Sequence, residues 1–191
     1  MKITLKDVRL SFPALWKAKA INDGAAKFSC SLLLNKESDA AQITAFRAAA
    51  KEVAIAQWPT GIPKSVKNCI HEGSEKDYDG YDETIMFVSA SSNNRVPIVD
   101  IDRTPLAEAD GKPYAGCFVN AVVRLWAQDN QFGKRVNAQL CGVQFVRDGE
   151  SFGEKPFSVE DEFEDLSAGV KGNGGVGTPE DEDIPFAANY L

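Results

Sequence analysis

The sequence predicts a mainly β protein: a small closed or nearly closed barrel of five to six strands with one main helix and an acidic C-terminal tail. Three observations carry this. Short stretches alternate apolar and polar residues with a period of two, phase slips fall where bulges belong, and Asx-Gly turns recur between the stretches. At 191 residues, with 43% hydrophobic and 26% charged side chains, the chain has room for one domain with a real core.

The clearest strands are three. In Lys27–Leu34, Phe28, Cys30, Leu32 and Leu34 share one face, opposite Lys27, Ser29 and Ser31. In Cys117–Gln128, Cys117, Val119, Ala121, Val123, Leu125 and Ala127 form an apolar file, opposite Phe118, Asn120, Val122, Arg124, Trp126 and Gln128. In Arg135–Arg147 the inward set Val136, Ala138 and Leu140 slips phase at Cys141-Gly142 and resumes as Val143 and Phe145, which predicts a bulge at Gly142. Weaker strand signals are Ile3–Phe12, with a slip between Leu5 and Val8, Thr84–Ala90 and Val96–Ile101. A helix is expected from an N-cap at Ser38 or Asp39 to about Trp58, with Ile43, Phe46, Ala50 and Val53 on its packed face and Pro59 as the stop. Turns fall at Asn22–Gly24, Asp79-Gly80, Asp110-Gly111, Asp129–Gly133 and Asp148-Gly149. An OB-like barrel fits this pattern best.

Charge divides the chain. Residues 1–153 hold 19 Lys and Arg against 18 Asp and Glu, whereas residues 154–191 hold two Lys against ten acids. Within the body, His71–Glu83 carries six acids and one Lys, leaving the rest mildly basic, as suits an anionic partner. The expected organisation is a barrel over 1–153 and a tail over 154–191, made of a short helix at 158–166, a glycine-rich linker at 167–179 and an acidic motif at 180–186. The opening residues alternate like a strand and no stretch is long enough to span a bilayer, so a cytoplasmic protein without membrane contact is expected.

Catalytic and metal chemistry find little support. Cys30, Cys69, Cys117 and Cys141 are scattered, with no CxxC pair and His71 as the single histidine, and read as reduced core thiols. Gly172, Gly174 and Gly177 spell GxGxxG without the strand and helix that a dinucleotide needs. No P-loop or GxSxG is present. Asp100 and Asp102, placed on one strand face, offer the alternative of a metal-dependent nuclease or recombination enzyme. No catalytic residue, cofactor or metal is expected, and a structural virion protein is a third reading.

The outward file of Cys117–Gln128 is more informative. Phe118, Arg124 and Trp126 on the wet side of a strand form a platform on which bases stack while cations meet phosphate. Trp126 beneath the helix, as second-layer core, is the competing placement. Loops expected around the platform add the stacking candidates Phe12, Trp16, Tyr114 and Phe132, and the phosphate candidates Arg9, Lys17, Lys19, Lys27, Lys112, Lys134 and Arg135.

The segments VRLSFPALWKAKA (Val8–Ala20), GCFVNAVVRLWAQDN (Gly116–Asn130) and GVQFVRDGESFG (Gly142–Gly153) resemble a family of phage single-stranded DNA-binding proteins first catalogued as a domain of unknown function. The resemblance implies an OB-fold, single-stranded DNA as partner, a role in phage replication, recombination or repair inside the bacterial host, and no catalytic residues. Separately, the run Glu180, Asp181, Glu182, Asp183, Ile184, Pro185 and Phe186 is similar to the acidic, Phe-ended tail with which bacterial single-stranded DNA-binding proteins recruit replication and repair enzymes. In those proteins the phenylalanine carries the terminal carboxylate, whereas here AANYL follows Phe186. The expected action of the tail is to modulate DNA binding, with weak duplex binding once it is removed.

Overall fold

A computed structural model describes residues 1–20 and 24–153. The turn at Asn22-Asp23 and the expected tail elements, including Glu180–Phe186, lie outside the described residues. The elements are β1 (Lys2–Lys19), β2 (Lys27–Asn35), α1 (Ala40–Gln57), β3 (Ile70–Glu72), β4 (Ile85–Ser92), β5 (Ile98–Val99), β6 (Phe118–Asn130) and β7 (Gly133–Arg147).

Five strands close the barrel. β1 pairs antiparallel with β2 and β6, β2 with β4, and β6 with β7, while a parallel contact of Ala90 with Ala138 and Ser91 with Gln139 joins β4 to β7. Closure removes the free sheet edges that would otherwise invite pairing with other chains. The inward files are those the alternation predicts: Cys117, Val119, Ala121, Val123 and Leu125 are at most 1% exposed, and Val136, Ala138, Leu140, Val143 and Phe145 join them in one core. The phase slips are bulges. Register shifts lie between Leu5 and Val8 in β1, and opposite Val122 and Val123, which pair with Gly142 and Leu140 and leave Cys141 over.

α1 packs on β6 and β7 and buries Ile43, Phe46, Ala49, Ala50 and Ala54, so the alanines bring its backbone close to the sheet. Asp39 does stand at its N-cap, but its carboxylate accepts from the Asn35 N–H at 2.8 Å and the Gln42 amide at 3.1 Å, fixing the β2–α1 turn instead of capping α1. The helix ends at Gln57, before Pro59, and the Trp58 indole N–H donates to Asp129 at 2.8 Å, tying the helix end to the β6–β7 hairpin.

Two expectations need correction, and one short strand is additional to those expected. The segment after Phe12 is strand, because a bulge between Ser11 and Ala14 absorbs Phe12 and Pro13 and lets β1 continue to Lys19. Of Val96–Ile101 only Ile98–Val99 pairs as strand, since Asp100–Thr104 turns. β3, too short to show alternation, sits on the edge of β4. Cys30, Cys69 and Cys117 are buried, and burial pushes the Cys30 thiol up to about 12, so it stays protonated as a small core side chain.

Candidate nucleic-acid interface

The outward face of β2 and β4 is paved with serines. Cross-strand register sets Ser29 opposite Ser91 and Ser31 opposite Ser89, leaving a smooth floor with hydroxyls and no bulk. A trough of about 960 Å³ crosses this floor between the two hairpins: Lys19, Gly24, Ala25 and Lys27 from the β1–β2 side, Trp126, Asn130, Phe132 and Arg135 from the β6–β7 side. Its described lining includes three cations and no carboxylate. A second hollow of about 350 Å³ shares Ser29 and Ser91 with the trough and continues it to an aromatic wall of Phe12, Tyr78, Tyr81 and Phe87. The second and third barrel strands, flanked by the first and last hairpins, form the face on which OB barrels bind oligonucleotides.

Electrostatics favour an anion here. Lys19 and Lys27 are direct cross-strand partners. Like charges facing each other are destabilising until an anion lies between them. Trp126 is 44% exposed and Phe132 72% exposed, so both rings stand in solvent and Trp126 is not beneath α1. Arg124 is exposed one step along the same outward file from Trp126, opposite Gln139 of the trough wall. Lys134 instead pairs with Asp129, whose carboxyl is held below its usual range by Lys134 and then by the Trp58 N–H.

The structure therefore brings together Phe12, Lys19, Lys27, Trp126, Phe132 and Arg135, with Arg124 beside them. It separates the rest. Arg9 donates to the carbonyls of Gly116 and Glu150 at 3.2 and 2.7 Å and lies 4.2 Å over the Phe152 ring. Phe118 is covered by Arg147 at 3.4 Å, which also forks onto Asp7 at 3.0 and 3.1 Å. Tyr114 donates to Asp148 or Gly149, and Lys112 sits over Phe145 near Asp148. These four residues hold the segment 148–152 against the barrel instead of rimming the trough. Trp16 is half-buried against the core with Arg95 5.4 Å from its ring, and Lys17 pairs with Glu108 in solvent.

Sequence reasoning missed Tyr78, Tyr81 and Phe87. Two tyrosines flanking Asp79-Gly80 in a loop otherwise rich in acids were the available signal, since a solvated loop has no need of large rings. Asp100 and Asp102 do not share a strand face. Asp102 accepts from the Thr104 N–H and hydroxyl at 2.8 Å each and Asp100 from the Ile101 N–H, so both carboxylates shape one turn. Among the described residues no group of three His, Cys, Asp or Glu is placed to hold a metal ion, and no helix is long and apolar enough to cross a membrane.

The solved single-stranded DNA-binding protein of bacteriophage Enc34, in complex with single-stranded DNA, superposes with a TM-score of 0.71 at 30% identity, covering 80% of this chain and 89% of that one. A single-stranded DNA-binding protein encoded by bacteriophage T7 shares the fold, with a TM-score of 0.55 at 15% identity, covering 93% of this chain and 99% of that one. A protein called p50, of Acyrthosiphon pisum secondary endosymbiont phage 1, is 37% identical in an alignment of 177 residues that covers 87% of this chain and 95% of that one. The family described as the single-stranded DNA-binding protein of Enterobacter phage Enc34 matches residues 1–172, spanning every strand of the barrel and both hairpins of the trough, and this chain belongs to that family.

Proposed function

We propose that this protein binds single-stranded DNA without catalysing a reaction on it, and coats and protects the strand during phage DNA replication, recombination or repair in the cytoplasm of the bacterial host. One observation carries the reading: a trough lined by cations and exposed aromatics, with no carboxylate among its described lining, lies on the oligonucleotide face of a barrel from this family. Trp126, Phe132 and Phe12 offer ring faces to bases of any sequence, and Lys19, Lys27, Arg124 and Arg135 meet the phosphates. The test is a titration of labelled single strands across a salt series with duplex as competitor. Saturable, salt-sensitive binding that duplex competes poorly supports the reading, and its absence removes it.

The phosphate roles give a sharper expectation. Arg124→Ala and Lys27→Ala should each lower the log–log salt slope by roughly 0.7, the value for one phosphate contact on a single strand. Arg9→Ala should leave the slope unchanged and lower the melting temperature instead, because its guanidinium is committed to Gly116, Glu150 and Phe152. An unaltered slope in the first two variants counts against their contact with phosphate.

The tail is assigned a regulatory role on charge. Residues 154–191, with ten acids against two lysines, are tethered to the barrel, so Glu180–Asp183 compete with DNA for the cations of the trough at high effective concentration. Ile184, Pro185 and Phe186 are assigned to recruiting replication or recombination proteins. Truncation after Gly169 removes one lysine and four acids. The truncated protein should bind single strands more tightly at low salt, with the advantage shrinking as salt rises and weak duplex binding emerging. Equal affinities at low ionic strength would leave the tail a recruiting role alone.

A further inference from the structure

We propose that the hollow at the aromatic end of the trough is a pocket for one unpaired nucleobase, and that the acidic loop forming its wall ends the phosphate track there. This rests on the single-strand reading of the trough and adds a subsite to it.

The geometry is that of a slot for a flat, uncharged ring. Its floor is the serine pairs Ser29–Ser91 and Ser31–Ser89 and the Phe87 ring, and its wall is an edge-to-face cluster. Tyr78 stands 4.9 Å from Phe12 at 71° and 5.8 Å from Tyr81 at 78°, and Tyr81 lies 5.2 Å from Phe87 at 67°. Tyr81 and Phe87 are buried, whereas Phe12 and Tyr78 are 54% and 53% exposed. Two rings anchor the cluster and two keep surface free for stacking. The serine hydroxyls supply donors and acceptors for the edge of a base.

Phe12 is held there at a cost. Its φ is +46°, the left-handed region that a phenylalanine avoids, at the bulge between Ser11 and Ala14. That backbone takes Phe12 out of the strand alternation and sets it against Tyr78, where burial gains it little. Strain of this kind persists where the surroundings enforce it, and it concentrates at binding sites.

Charge decides which part of the strand enters. The loop bearing Tyr78 and Tyr81 belongs to His71–Glu83, with six acids and one cation, Lys76, which is the one charged residue in the described lining of the hollow, while the neighbouring trough has Lys19, Lys27 and Arg135. Phosphates are attracted along the trough and as far as Lys76, and the loop's acids beyond it repel them. The base enters the pocket with its phosphate turned toward Lys76 and the trough.

The full-length protein is titrated with the shortest oligothymidine that saturates it, carrying one base-free sugar at each position in turn, so that every phosphate remains. Base removal should weaken wild-type binding at the positions that stack on Trp126 and Phe132 and, by about tenfold, at one further position, that of the pocket. In Phe12→Gly, which relieves the left-handed strain, and in Ser89→Leu, which fills the pocket from an exposed floor position, that position should become silent. The salt slope of both variants should match wild type, and Phe12→Gly should melt no lower. Identical base-removal profiles in wild type and both variants overturn the pocket while leaving Trp126-dependent binding intact. Absence of single-strand binding by the wild type overturns the pocket and the proposed function together.

Discussion

Trp126→Ala should weaken single-strand binding by about 1–3 kcal/mol, roughly five- to 150-fold, with the fold intact. The ring lines the trough from β6 at 44% exposure, opposite Asn137. Its removal therefore costs the protein little and the complex a stacked base. Trp126→Phe should recover part of the loss, since a smaller ring still presents a face. Phe118→Ala is the contrasting variant. Phe118 lies eight residues back on the same outward file, yet Arg147 covers it, so truncation should lower stability and leave affinity for DNA near wild type. Equal affinities of wild type and folded Trp126→Ala would take this ring out of the site. A binding loss in Phe118→Ala that matches Trp126→Ala would mean that the face of β6, not the trough, is what DNA contacts.

That contrast also marks how far the sequence could be read. Period-two alternation is a local signal, and it predicts which side of β6 and β7 faces the core, down to the bulge beside Gly142, because each residue's side is decided by its immediate neighbours. The same alternation cannot distinguish Phe118 from Trp126. Both point outward, and what separates them is the segment 148–152, which closes over one end of β6 through contacts with Arg9, Tyr114 and Ala115. Likewise, Lys19 and Lys27 are plain as cations in the sequence, but their opposition across the β1–β2 ladder depends on β1 running on past the bulge at Phe12. Tyr78 and Tyr81 were hidden for another reason. Their acidic neighbours read as a solvated loop, and the ring that gives them a purpose, Phe12, is distant in sequence and meets them only when β1 and β4 pair on either side of β2.

Gly116→Ala should be the most damaging single-methyl change, destabilising the barrel by roughly 2–6 kcal/mol, from about 1–3 of backbone strain and about 1–3 of overpacking. Gly116 has φ +105°, and a Cβ there would lie 2.0 Å from the Glu150 carbonyl oxygen and 2.8 Å from the Ser151 Cα, both backbone atoms. Neither can swing aside as a side chain would. Its N–H donates to the Leu10 carbonyl at 2.8 Å and its carbonyl accepts from Arg9, so the glycine is the point where β1 grips the chain leaving β7. The effect should travel to the binding face. Phe152, held under Arg9, packs against Gly80, where a Cβ would stand 2.4 Å from its ring, so displacing residues 150–152 frees the loop that carries Tyr78 and Tyr81. Denaturant unfolding should show the midpoint falling sharply, and below that midpoint the folded variant should lose binding at the pocket position of the oligothymidine while retaining its salt slope. A variant as stable as wild type would mean that segment 150–152 has an alternative path past the barrel, and Arg9 would then be free to meet phosphate after all.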